Sequence, residues 1–310
     1  MSRHFAPAQA SADVGRTTGN TPANALVTAS YAPDFERCRL LCETIDRQVT
    51  GFSSHYILVE GRDVALFRQL ETSRRIVVDE RDLLPSWLRP FDDPFSRGRR
   101  VWLSWRSMPL RGWHAQQLRR IGIAAHVADD ALVFCDSDVA FLKPFDCGAF
   151  WNDGRLRLLR RDNALTSPPT ADHLTWSRNA GIVLGIEPPQ LSLHDYISTV
   201  IAWKRSTVVD MCAHIQKVRG VNWVAAIAAR RKFSECIIYG RYVDEIIGGE
   251  GHFPSAKEFC RVHWDGQPMD DGQFRAFVAS MQPGQVAIGM QSFIGTDLSR
   301  IRQLIGENPA

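Results

Sequence analysis

The sequence predicts an α/β fold with a mostly parallel central sheet, helices on both faces and a helix-rich C-terminal extension. Three observations predict it. Apolar runs alternate with segments of helical periodicity from Ala25 to Val78, in the order strand, helix, strand, helix, strand. A further apolar run, Ala131 to Phe134, is fed directly by a helical segment and runs out into acidic residues. The 310 residues are 45% hydrophobic and 23% charged, a globular composition. No apolar stretch approaches the ~18 residues needed to span a bilayer.

The first strand is expected at Ala25 to Ser30, a short apolar run closed by polar residues. Pro33 and Asp34 mark a helix start, and Phe35, Cys38, Leu41, Cys42, Ile45 and Val49 then recur at three- and four-residue steps along one face. A strand at His55 to Val59, a helix near Asp63 to Leu70 and a strand at Arg75 to Val78 follow. Pro85, Pro90, Pro94, Gly98 and Pro109 break the pattern between Asp79 and Arg111, which predicts a long excursion over the sheet. Trp113 to Ala128 reads as helix. Beyond Phe150, strands are expected at Leu156 to Leu159 and Ala180 to Ile186, then helices from His194 to Ile247, a turn at Gly248 to Gly251 and a terminal helix ending in a polar tail. There is no internal repeat. The division predicted is a loose tail over 1–23, one domain over 24–300 and a C-terminal tail over 301–310.

Charge and cysteine usage exclude several classes. Lys and Arg number 37 against 34 acidic residues, and a net +3 does not argue for a nucleic-acid partner. Seven cysteines without a C-x-x-C spacing argue against a zinc ribbon and a disulfide framework, and fit a reducing compartment. Met1 to Ala23 lacks the apolar core of a secretory signal. The expected location is cytoplasmic.

Asp136-Ser137-Asp138 carries most of the functional information. Ligands bind beyond the carboxyl ends of strands in parallel sheets, and this pair directly follows a buried strand. Two carboxylates one residue apart repel each other there unless a hard cation, Mg2+ or Mn2+, lies between them and a substrate diphosphate. The alternative is that the aspartates cap the following turn.

With these residues in view, the arrangement resembles the GT-A class of nucleotide-sugar glycosyltransferases. Leu26-Val27-Thr28-Ala29-Ser30-Tyr31, Gly112-Trp113-His114-Ala115-Gln116-Gln117 and Phe134-Cys135-Asp136-Ser137-Asp138 resemble a bacterial glycosyltransferase-like family of unknown function. Ser234-Glu235-Cys236-Ile237-Ile238-Tyr239-Gly240 is similar to that family's Ser-Glu-Tyr-x-x-Tyr-Gly block, departing at Cys236. The resemblance implies a GT-A-like, Rossmann-like sheet, a Mn2+ or Mg2+ cofactor, a UDP-sugar or other nucleotide-diphospho-sugar donor, and a glycan or glycolipid acceptor in surface glycan synthesis. It implies that Asp138 binds the metal, that Asp136 contacts the ribose or donor sugar, and that Thr28, Ser30 and Tyr31 hold the nucleoside. Ser137 joins the donor-binding set.

His263 ends a short strand-like run, and a C-terminal His supplies a further metal ligand in related GT-A families; Asp265 is the substitute. The alternative for His263 is packing against Trp264. Gln116 and Gln117 precede the acidic strand, and adjacent glutamines on a helix predict that at most one faces the site. Arg97, Arg99, Arg100, Arg106 and Arg111, interleaved with Trp102, Trp105 and Trp113, form a basic and aromatic cluster suited to a diphosphate, although a solvated loop over core tryptophans also accounts for it. Glu235 is the first candidate for the base that takes the acceptor proton, ahead of Asp244, Glu245 and Asp265. Its alternative role is capping a helix start. Other functions open at this point are a phosphohydrolase or sugar nucleotidyltransferase using the same aspartates, and a non-catalytic sugar-binding module.

Overall fold

The structure, a computed structural model, describes residues 21–96, 98–166, 171–187, 191–295 and 297–307. Most of the 1–23 tail and Arg97 therefore lie outside the described residues. Ala23 is already tied down, its amide donating to Asp130 Oδ2 at 2.8 Å.

The chain opens with β1 (Asn24–Ala29), α1 (Phe35–Gln48), β2 (His55–Val59) and β3 (Arg75–Asp79). Next come α2 (Gly112–Gly122), β4 (Ala131–Cys135) and β5 (Val139–Phe141). The C-terminal half adds α3 (Ala171–Leu184), β6 (Val200–Lys204), α4 (Glu235–Arg241), β7 (Cys260–His263) and β8 (Ala287–Met290). The central sheet has the order β6-β4-β1-β2-β3, parallel throughout except for β6. Its inner strands β1 and β4 are wholly buried because helices cover both faces, which explains their continuous apolar runs, while the edge strand β3 is partly open. The chain winds from β1 outward through β2 and β3, then returns to the other side of β1 with β4. That reversal places a crevice between the carboxyl ends of β1 and β4.

A second, three-stranded sheet carries β5, with β8 antiparallel to it and β7 parallel to β8. The amide of Met290 also donates to the carbonyl of Asp138 at 3.1 Å. The acidic turn is thus held by a strand about 150 residues later in the chain.

Four expectations need correction. Ala180 to Ile186 is not a strand: α3 extends through Leu184 and stops at Gly185, whose φ of 72° is left-handed. Ser177, Ala180, Gly181, Val183 and Leu184 are its buried residues, so the run Ile182-Val183-Leu184 belongs to a buried helix. The helix-rich stretch contains β6, whose apolar Val-Ile-Ala-Trp pairs with β4 in the core. The excursion from Asp79 to Arg111 builds its own antiparallel meander, Arg89–Asp92, Arg100–Leu103 and Leu110–Arg111, anchored by Trp102 and Leu110, both 1% exposed. The last helix runs Leu298–Glu307 across the boundary at 300, because Ile301 is buried against Phe274 and Phe277.

Candidate functional site

A cleft of about 570 Å³ opens at the crevice between β1 and β4. Its lining comes from carboxyl ends of parallel strands: Ser30 and Tyr31 after β1, Glu60 and Arg62 after β2, and Asp136, Ser137 and Asp138 after β4. The meander adds Arg99, Arg100 and Arg111, α2 adds Gln116, Gln117, Arg119 and Arg120, and α4 adds Glu235. Asp63 Oδ2 accepts the Ala32 amide at 2.9 Å, which holds the loop that presents Tyr31.

The acidic turn is electrostatically uneven. Arg120, in the last turn of α2, lies 3.3 Å from Asp136 Oδ1 and 3.1 Å from Glu235 Oε1. One guanidinium is shared between the two carboxylates, and the rings of Phe134 and Trp203 cover it at 4.7 and 5.7 Å. Burial pushes Asp136 up to about 6, with Arg120 opposing and Glu235 adding to the rise. Asp138 makes no ion pair among those found in the described residues, although the charge of Arg37 acts on it. Its Oδ1 is buried without a hydrogen bond, and burial, then the charges of Asp136 and Asp34, push it up to about 7. Asp34, which starts α1 without capping it through its side chain, also lines the cleft and is raised by burial.

An orphaned, desolvated carboxylate oxygen beside a second carboxylate is what a hard divalent cation completes, so the donor set at Asp138 and Asp136 fits Mg2+ or Mn2+. Asp136 is partly committed to Arg120. Among the described residues no group of three His, Cys, Asp or Glu side chains gathers in metal-holding geometry. His263 does not join the site: its ring packs against Phe277 at 6.1 Å, its Nε2 lies 3.3 Å from the Gln267 carbonyl, and it is absent from the cleft lining. The packing alternative holds, with Phe277 rather than Trp264 as the partner. Asp265 is exposed and also outside the cleft.

Other expected residues divide in the same way. Ser30, Tyr31, Gln116, Gln117, Asp136, Ser137, Asp138 and Glu235 all line the cleft. Thr28 does not. It is fully buried and accepts a hydrogen bond from His55 Nε2 at 2.9 Å, while His55 Nδ1 accepts from Arg75 Nε at 3.1 Å. The alternation of β1 sends Thr28 into this internal chain instead of the crevice. Both glutamines line the cleft, against the expectation of one, because it reaches around the flank of α2 to its buried side. Gln117 Oε1 accepts the Glu235 amide at 3.0 Å, acting as the cap that Ser234 does not provide. Asp244 and Glu245 are outside, held by Arg160 and Tyr196 and by Arg241 respectively. Of the arginine cluster, Arg99, Arg100 and Arg111 line the cleft and Arg106 lines a separate cavity.

Sequence reasoning missed Arg119 and Arg120, buried at 2% and 7% exposure. The available signal was two adjacent cations inside an apolar helix that leads into an acidic strand end, since buried arginines require carboxylate partners.

Comparison with known proteins adds the following. The structure is similar to an active-site mutant of LgtC (TM-score 0.47, 11% identity, 91% of this chain and 95% of that one). It is similar to the galactosyltransferase LgtC in complex with donor and acceptor sugar analogs (0.45, 10% identity, 92% and 96%). A third similar structure is the apo form of the bifunctional glycosyltransferase WbbM (0.48, 12% identity, 93% of this chain and 50% of that one). No curated protein matches the sequence. Residues 24–283 match the model of a family of unknown function, DUF6492, and the chain belongs to that family.

Proposed function

We propose that this protein is a glycosyltransferase that moves a sugar from a nucleotide-diphospho-sugar, a UDP-sugar in the first instance, to a hydroxyl of a glycan or glycolipid. The observation that carries this reading is Asp138: a buried carboxylate oxygen without a partner, in a cleft at the sheet's reversal point whose other wall bears arginines. Asp138, with the oxygen of Asp136 that Arg120 leaves available, would hold Mn2+ or Mg2+. When bound, such a cation supplies positive charge against a departing diphosphate.

The remaining roles follow from what each side chain offers. Tyr31, 40% exposed at the cleft, presents a face for stacking a base, and Ser30, Ser137 and Gln116 offer hydrogen bonds to ribose or sugar hydroxyls. Arg99 and Arg111 make no ion pair among those found in the described residues, which leaves their forks for phosphate oxygens. Glu235 is assigned to the acceptor hydroxyl. Held 3.1 Å from Arg120, its carboxylate is fixed in place to orient that hydroxyl.

The test is calorimetric titration of UDP with Mn2+ and with chelator, using the full chain. Mn2+ is expected to tighten UDP binding at least about tenfold, and Asp138→Asn to abolish that gain while leaving the metal-free affinity similar. UDP binding that ignores both the cation and the substitution overturns the reading.

A further inference from the structure

The meander forms one wall of the cleft with its base, and its outer face is unusual. Cross-strand partners share a face of an antiparallel pair, so the register Arg89↔Leu103, Phe91↔Val101 and Val101↔Arg111 puts these five residues on one side. The opposite side carries Pro90, Trp102 and Leu110, with Trp102 and Leu110 in the core. On the outer side Phe91 is 49% and Leu103 39% exposed, and Arg89 is exposed beside them. The turns extend this character: Phe95 is 96% exposed and Trp105 84%. Large apolar side chains this open and this close together mark a surface that meets another phase or molecule.

The charge of the segment identifies the occupant. Residues 89–111 hold six arginines and two aspartates, a net +4 in a chain whose total is only +3. The turn bearing Trp105 adjoins a cavity of about 570 Å³ whose rim carries Arg106, Arg219 and Arg230 and whose floor includes Ile182, Val183 and Ala225. Basic groups around aromatic and aliphatic side chains match the boundary of an anionic bilayer, where rings settle at headgroup depth and guanidinium groups meet lipid phosphates. Arg99 and Arg111 also serve the cleft and Arg100 pairs with Glu60 and Asp92, so the charge offered to lipid is chiefly that of Arg89 and of Arg106, Arg219 and Arg230 around the cavity.

We infer that the outer face of the 89–111 meander, with the adjoining arginine-rimmed cavity, docks on anionic phospholipid membrane. This placement sets the mouth of the cleft beside the lipid surface through Arg111, which lies on the docking face and lines the cleft. The inference stands apart from the donor assignment, because vesicle binding is read without nucleotide.

The experiment is flotation of the full chain with vesicles of phosphatidylcholine alone and of equimolar phosphatidylcholine and phosphatidylglycerol. Binding is expected only to the second, weakening with added salt. Phe95→Ser with Trp105→Ser, and separately Arg106→Ala, should each lower vesicle affinity by roughly tenfold, while Trp105→Phe retains it. These positions lie outside the cleft lining, so thermal melting and UDP binding should not change. No flotation of the wild-type chain with anionic vesicles, or equal flotation of the double variant, overturns the inference. So does lipid-free self-association that the double substitution abolishes, since the face would then belong to a second copy.

Discussion

Arg120 decides the electrostatics of the cleft. It is buried, its charge is shared between Asp136 and Glu235, and its face rests on Phe134. Removing one partner of a buried ion network leaves the others charged and desolvated, so Arg120→Met is expected to cost about 3–5 kcal/mol, measured by urea denaturation at neutral pH. Asp138 makes the opposite prediction. Its pKa is raised from an ordinary carboxyl value to about 7, so the folded state holds a proton that the unfolded state has lost between about pH 4 and 7. Stability therefore falls as pH rises through that window, and above it the full cost of an ionised, desolvated carboxylate with one unbonded oxygen is present. Asp138→Asn, in metal-free buffer, is expected to be more stable than the parent by about 2 kcal/mol at pH 8, with the advantage vanishing toward pH 4. Thermal melts across pH check this, and an unchanged difference between pH 4 and 8 contradicts it.

At the scale of elements, α4 shows how one short helix serves both packing and the cleft. Glu235 reaches the cleft from its first turn, while Tyr239 stacks on Trp203 at 4.9 Å and its hydroxyl accepts the Lys204 amide at 2.8 Å, fastening the helix to β6. The Tyr239 hydroxyl also meets His252 Nε2 at 2.8 Å. Gly240 follows because the helix lies directly on Tyr196: a Cβ there would overlap that ring. Gly240→Ala is therefore expected to destabilise by about 1–3 kcal/mol through overpacking, despite alanine's better helix propensity. The denaturation midpoint reports it. Gly220, whose φ of 68° places it in the left-handed region at a helix C-terminus with open space around it, is the contrasting case, in which the backbone and not packing requires glycine.

For the whole molecule, β8 joins distant parts of the chain. It lies between β7 and β5, buries Ala287, Ile288 and Met290, and donates the Met290 amide to Asp138. It also lies beyond residue 283, where the family match ends. Ending the chain at Gly284 is expected to remove on the order of 5 kcal/mol or more of stability, because it strips both neighbouring strands and uncovers Phe274 and Phe277. Loss of the near-ultraviolet circular dichroism signal and binding of a hydrophobic dye would report the collapse. A cooperative melt retained by the shortened chain would show that the second sheet is dispensable. Among the described residues no helix is long and apolar enough to cross a membrane.

Much of the fold was legible because local pattern and burial agree. The apolar runs of β1, β2 and β4 and the three- and four-residue spacing of α1 are each determined by neighbours in sequence, and so is the placement of the acidic turn after a buried strand. Reading failed where a short apolar run suits either a buried helix or a buried strand, as at Ile182-Val183-Leu184 in α3 and Val200 to Trp203 in β6. Side-chain direction and long-range pairing needed the folded chain. Thr28 and His263 are plausible in sequence and face elsewhere in space, one bonded to His55 and the other packed on Phe277. Arg120 reaches Asp136 and Glu235 from positions 16 and 115 residues away, as numbered in the chain. The sequence alone determined that Asp136 and Asp138 sit at the end of a buried strand, since that follows from the apolar run directly before them. Only tertiary structure decided which of them shares a guanidinium and which keeps an unpartnered oxygen, because that depends on which charges burial brings within hydrogen-bonding distance.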